Sequence, residues 1–273
     1  MRYALPRGYL SASSIKTLQT CPKQYEFRYV NNIVIPPNAA LAVGSSAHKT
    51  LETYYNDAMS SSQRLTPKQV GELSGDTFEE WLHENETTMT NEEKSEAHTL
   101  LPDMLTGYVE KIGQFVKPTA TETEVRFTTE GGVPMLGYID LMFENEETGE
   151  VAIADYKVTG RKMNIGDLSN SLQFNLYAMM TGIGDIQIHN LVKARGKTLP
   201  KKPTQDGVTD YSSNLRTLQH NFDGSEAGHF SQLVDSAAKL ITSGIFMPCA
   251  PDSWCCNDNW CGYWKLCRGK KVC

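Results

Sequence analysis

The chain has 273 residues, 40% of them hydrophobic, with 26 basic against 32 acidic side chains and a formal net charge of −6. That length can bury a good core as one large or two smaller domains, and the composition excludes a disordered chain. The overall acidity argues against a generic nucleic-acid coat but leaves room for a groove with a local basic lining. The opening "MRYALPRGYLSASS" has no apolar signal-type segment, and no run is apolar enough to span a bilayer, so a reducing cytoplasm is the expected setting.

Taken in chain order, "SASSIKTLQTCPKQYEFRYV" offers serine caps before apolar residues at helical spacing, with Pro22 marking an early break. "SSAHKTLETYYNDAM" and "NEEKSEAHTLLPDMLTGYVEKIGQFV" carry the helical period, and the acidic stretch 76–96 reads as a solvated helical face. The period then changes. "TETEVRFTTE", "VPMLGYIDLMFE" and "EVAIADYKV", separated by "GG" and "NEETG", predict a three-stranded meander whose second turn falls near 147–149. A helix ("LSNSLQFNLYAMMTG"), a strand ("DIQIHNLVKA"), a basic loop over 193–202, a helix around "GHFSQLVDSAAKLITSG" and a cysteine-rich tail complete the chain. The expected fold class is α/β or α+β with a helical N-terminal region: a single domain over 1–273, mainly helical over 1–117, with the core over 118–245 and the tail over 246–273.

The meander holds the sharpest chemistry. Asp155 and Lys157 are two apart on a predicted strand and share a face, while Tyr156 points the other way. Asp140 lies near the end of the preceding strand, where a hairpin can bring it beside Asp155. An Asp-x-Lys on a strand is ordinarily a surface ion pair. Here Asp155 follows the apolar "VAIA", and Asp140 sits inside "LGYIDLMF", where idle carboxylates are costly. Neighbouring buried carboxylates call for a cation, and oxygen ligands suit Mg²⁺ or Mn²⁺. Gln173 and Tyr177 are four apart on one face of the next helix. His48 sits among small residues in "GSSAHKTLE", and a lone histidine is ordinarily a satisfied core or surface residue; Glu124 in "TETEVRF" is a weaker candidate still.

The ordered set "CP..YEFRYV", "G...H..LE", "E.RF", "GYIDLM", "DYK" and "Q...Y" resembles the RecB-type branch of the PD-(D/E)XK nuclease superfamily, over nearly the whole chain. The resemblance implies a restriction-endonuclease-like mixed sheet flanked by helices. It implies that His48, Asp140, Asp155 and the main-chain carbonyl of Tyr156 ligate Mg²⁺ or Mn²⁺, and that Lys157 positions the attacking water. Gln173 and Tyr177 would lie near the scissile strand, and Glu124 matches a less constant acidic position. The implied reaction is metal-assisted phosphodiester hydrolysis by in-line attack. The substrate would be DNA ends, single-stranded ones among them, in a bacterial or phage-infected cytoplasm. Two settings fit: a phage-type recombination exonuclease working beside a single-strand annealing protein, which the long helical insertion and the tail favour, or a CRISPR-adaptation nuclease that trims spacers. A metal-stapled DNA-binding module that has lost catalysis is the third reading, and the joint presence of His48, Asp140, Asp155 and Lys157 counts against it.

Seven cysteines are too uneven a set for a secreted disulfide scaffold, and metal binding is the better reading. In cluster-bearing relatives one cysteine precedes the nuclease core and three follow it. The resemblance therefore implies a [4Fe–4S] cluster on Cys21, Cys256, Cys261 and Cys267. Spacing by itself leaves zinc open. Cys255 competes with Cys256 as the first tail ligand, and Cys249 and Cys273 are surplus, ordinary thiols. "RGKT" at 195–198 matches only the end of a Walker A loop, because Leu191 stands where a glycine is required. The tail's aromatic residues could stack on unpaired bases, although packing round a metal group is the plainer role.

Overall fold

The computed structural model describes residues 4–61, 63–145, 148–194 and 206–269. Most of the basic loop, including 195–198, and also Glu147 and Cys273, fall outside them. The chain divides into two compact units, one of Met1–Ile35, Val125–Gly137 and Ser225–Cys273, the other of Pro36–Glu124 and Tyr138–Gly224.

In the first unit, α1 (Ala12–Thr20) starts at Ser11, whose hydroxyl accepts the Ser14 amide while the Ser14 hydroxyl accepts the Ser11 amide. This reciprocal cap satisfies two amides that the helix leaves unpaired. The helix ends at Cys21, whose extended backbone passes to Pro22 at the start of α2 (Pro22–Tyr25). Proline cannot continue a helix but fits its first turn, so the break lies where the sequence places it. A π-helical turn, Glu26–Val30, follows. Later in the chain α8 (Ala227–Thr242) buries Phe230, Val234, Ala237, Ala238 and Ile241 on one stripe. A single turn, α9 (Trp264–Cys267), lies within the tail.

In the second unit, α3 (Ala39–Ser60) buries Val43, Ala47, Leu51, Tyr54 and Tyr55 at helical spacing. The helices α4 (Pro67–Glu84) and α5 (Asn91–Lys111) both open on Thr-x-x-Gln/Glu capping boxes, at Thr66 and Thr90. Val70 and Phe78 are buried whereas Asp76, Glu79, Glu80, Glu84, Glu92, Glu93 and Glu96 are exposed, which makes 76–96 the solvated face expected.

The strands β1 (Lys117–Thr128), β2 (Pro134–Glu144), β3 (Val151–Thr159), β4 (Asp185–Val192), β5 (Val208–Ser212) and β6 (Leu215–Asn221) form a mixed sheet in the order β1-β2-β3-β4-β6-β5. β2 and β3 are antiparallel, with Leu141 opposite Ala154, and β3 and β4 are parallel, with Asp155 opposite Ile188. The central β3 is buried from Ala152 to Tyr156, as a strand covered on both faces must be. The helix expected over 168–182 is divided into α6 (Ile165–Ser169) and α7 (Leu172–Thr181). Gly182 closes α7 at φ 73°, a left-handed conformation that a side chain would resist.

The β5–β6 hairpin is absent from the sequence reading, which left 206–221 without strands. Its residues are polar and weakly patterned. Within it Asp210 accepts from Arg216 Nε at 2.8 Å; from outside it Lys162 Nζ donates to Asp210 at 2.7 Å, β4 pairs with β6, and Leu215 and Leu218 are buried. Among the described residues no helix is long and apolar enough to cross a membrane.

Candidate active site

The second unit carries the carboxylates. On β3, Asp155 is 1% exposed and lies 2.6 Å from the Lys157 ammonium as an ion pair. The contact lacks hydrogen-bond alignment, leaving Asp155 Oδ2 a buried oxygen with no hydrogen-bond partner. From β2, Asp140 Oδ2 accepts the Tyr156 amide at 2.8 Å and lies 3.3 Å from His48 Nδ1. The other ring nitrogen, His48 Nε2, is 2.9 Å from the Tyr156 carbonyl oxygen. One strand residue thus offers its amide to the aspartate and its carbonyl to the histidine.

Helix α7 completes the arrangement. Gln173 Oε1 accepts from Lys157 Nζ at 3.2 Å, and its amide nitrogen donates to Asp155 Oδ1 at 2.8 Å and to the Tyr177 hydroxyl at 2.9 Å. The Tyr177 hydroxyl in turn donates to the Tyr138 carbonyl. His48, Asp140 and the Tyr156 backbone form one group, and Asp155, Lys157, Gln173 and Tyr177 form a second; the two adjoin through the backbone of β3.

Glu124 accepts from the Tyr138 hydroxyl at 2.9 Å. Its neighbour Glu122 lies beside His48 and Asp140. Among the described residues, one group of three His, Cys, Asp or Glu side chains brings its ligand atoms within 4.8 Å of one another: His48, Glu122 and Asp140. Glu122 has φ 44°, and residues 120 and 121 interrupt the alternation of β1, so an irregularity in the strand aims this side chain. The sequence offers both glutamates in "TETEV", and no local signal chooses between them.

The electrostatics suit a cation. Burial pushes Asp155 up to about 6, despite the pull of Lys157, and the nearby Asp140 adds to the rise. Burial also opposes ionisation of Asp140, but His48 outweighs it and holds Asp140 below the usual carboxylate range. For His48 burial disfavours the charge, yet the hydrogen bond to Asp140 and the carboxylates of Asp140 and Asp155 raise its pKa overall. Burial raises Glu122, with Asp140 next in effect. One imidazole nitrogen with several carboxylate oxygens is a donor set for Mg²⁺ or Mn²⁺.

Beneath the site, on the far face of β3, the Tyr156 ring packs against Tyr55, Tyr108 and His189. The Tyr55 and Tyr108 hydroxyls are 2.8 Å apart, and Tyr108 lies 2.8 Å from His189 Nδ1. Burial lowers His189 to about 4, so it is neutral at ordinary pH.

The first unit holds the cysteines. Cys21, Cys249, Cys255, Cys256, Cys261 and Cys267 all carry free thiols. They line one pocket walled by Phe27, Pro248, Tyr263 and Trp264, with Lys23 and Arg268 at its edge. Burial raises the Cys261 thiol, and Cys21, Cys267 and Cys256 raise it further, so these four sulfurs are electrostatic neighbours. Cys249, a surplus thiol in the sequence reading, lies close to two others: its amide donates to Cys21 Sγ at 3.4 Å, and its sulfur is 3.7 Å from that of Cys255. A pocket of thiols with cationic side chains at its edge fits a thiolate-held metal group.

Two buried carboxylates and a lysine thus lie on adjoining strands of a mixed sheet, beside a histidine. The pattern of the PD-(D/E)XK nuclease superfamily matches residues 9–268, and the chain belongs to that superfamily, whose nucleases use divalent metals. A search of the curated proteins gives no match. A solved structure described as "Crystal structure of SSO0001" is similar at 14% identity and a TM-score of 0.36, over 81% of this chain and 96% of that one, a likeness too distant to carry an argument.

Proposed function

We propose that the chain is a RecB-type, Mg²⁺- or Mn²⁺-dependent DNA exonuclease that resects DNA ends in phage-type recombination or repair. The observation that carries the reading is the pairing of His48 with Asp140 and of Lys157 with Asp155 on adjoining strands, with Glu122 beside His48 and Asp140. His48, Glu122, Asp140, Asp155 and the Tyr156 carbonyl would hold the divalent ion. When bound, such an ion supplies positive charge that stabilises the phosphate and eases ionisation of water.

The remaining work falls to the chain. Burial opposes the charge on Lys157, but Asp155 beside it raises its pKa overall, so the group is an ammonium at neutral pH and acts as a donor rather than as a base. It can hold a water by its lone pair and face the negative charge that develops on the phosphate. Gln173 restrains Lys157 and Asp155 together, and Tyr177 anchors Gln173 to β2. Cys21, Cys256, Cys261 and Cys267 would bind a [4Fe–4S] cluster that joins an early helix end to the tail. Its role in this reading is structural, and zinc is the alternative occupant.

The test uses end-labelled single- and double-stranded DNA, and closed circles, with Mg²⁺ or Mn²⁺. Linear DNA should be degraded and circles spared, and Asp155→Ala or Lys157→Ala should abolish cleavage in a folded protein. Near-normal cleavage by either variant refutes the site assignment, and equal cutting of circles refutes the exonuclease assignment. Anaerobically purified protein should carry iron and sulfide; a colourless, iron-free sample refutes the cluster.

A further inference from the structure

We propose that Trp254 and Trp260 form a base-stacking platform for single-stranded DNA, separate from the catalytic carboxylates. The two rings are 69% and 70% exposed. They meet edge to face, with centroids 5.8 Å apart and planes at 82°. Tryptophan seldom leaves so much of its surface in water, and two such rings in contact make an exposed apolar patch that asks for an occupant. The sequence favoured packing round the metal group as the role of the tail's aromatics. Tyr263 lines the thiol pocket and is buried against Phe27, whereas Trp254 and Trp260 are not among the residues that line it.

The loop is built to present them. The Asn257 side-chain amide donates to the Trp254 carbonyl at 2.8 Å, and its side-chain oxygen accepts the Trp260 amide at 3.2 Å and the Asn259 amide at 3.0 Å. The Cys256 amide donates to the Ser253 carbonyl at 2.9 Å, and the Cys261 amide to the Asn257 carbonyl at 2.9 Å. One side chain thus bridges the backbones of both tryptophans. Presenting the rings in place lowers the ordering cost of binding.

The surroundings favour unpaired bases over a protein partner. A protein hot spot has its tryptophans ringed by further contacts that exclude water. Between the two tryptophans lie Cys255, Cys256, Asn257, Asp258 and Asn259. Against the acidic Asp252 and Asp258 the tail sets four basic residues, Lys265, Arg268, Lys270 and Lys271, a net positive balance that suits a polyanion. Stacking on an aromatic face needs no particular base, which suits an enzyme that must accept any sequence. The inference rests on DNA being the substrate.

The test measures binding without divalent metal by fluorescence anisotropy, comparing a labelled oligo(dT) strand with an abasic strand of equal length and charge. Wild type should prefer oligo(dT). Trp254→Ala with Trp260→Ala should weaken oligo(dT) binding on the order of tenfold or more, leave the abasic strand unchanged, and reduce tryptophan quenching by oligo(dT). Trp254→Phe with Trp260→Phe should restore much of the preference. Unaltered oligo(dT) binding by the alanine pair overturns the proposal, as does equal loss on both strands. Loss of binding to a protein alone, with oligo(dT) unaffected, overturns it too. Metal-dependent cleavage by wild type is scored in parallel, so that failure of the platform is distinguishable from failure of the nuclease reading.

Discussion

Divalent-metal binding should weaken steeply in acid, because the ion must displace protons from Asp155 and His48. With the Asp155 pKa near 6, the group is about 90% protonated at pH 5 and about 10% at pH 7. Competition from that one proton lowers the apparent Mn²⁺ affinity about tenfold between pH 7 and pH 5. His48, also raised, adds to the effect in the same direction, so tenfold is a floor. Titration calorimetry with Mn²⁺ in two buffers of different ionisation enthalpy gives both affinity and proton release. The expected release is about one proton or more at pH 5, falling as pH rises. An affinity that stays constant from pH 5 to pH 7, or binding that releases no proton at pH 5, would refute the account of a desolvated, cation-seeking carboxylate.

Glu122→Gln should weaken Mn²⁺ affinity by roughly tenfold or more while Glu124→Gln stays near wild type, and the reverse order would show that the bulged strand misplaces the ligand. His189 has a folded pKa near 4 against an ordinary 6.5, so between those values the folded chain binds fewer protons than the unfolded one, and stability falls as pH falls through that window. The loss attributable to His189 is about 2 kcal/mol between pH 7 and pH 5. Urea unfolding at both pH values should show that much less acid sensitivity in His189→Gln, and identical slopes for the two proteins would exclude the effect. Cys256→Ser and Cys261→Ser should lose iron, whereas Cys249→Ser and Cys255→Ser should retain it; iron loss on replacing Cys249 or Cys255 would change the ligand assignment.

Much of this protein is local, and local features are legible in sequence. The capping boxes, Pro22, the period of α3 and the apolar β3 are short-range signals, and each marks its element. Asp155 and Lys157 share a face because strand alternation requires it, and Gln173 and Tyr177 do so by helical repeat. The sequence by itself therefore determined the α/β class, the β2–β3 hairpin and which side chains could share a face. What it could not determine depends on contacts between distant segments. The β5–β6 hairpin is held by its pairing with β4, by burial of Leu215 and Leu218, and by Lys162 on Asp210. The approach of Glu122 to His48 and Asp140 accompanies one left-handed residue in β1 that no propensity marks. The inclusion of Cys249 in the thiol pocket, and the exposure of Trp254 and Trp260, follow from how the tail folds back on Cys21 and Phe27. Sequence spacing tells which residues can share a face; only the tertiary structure decides which face meets which, because burial and charge act through space and not along the chain.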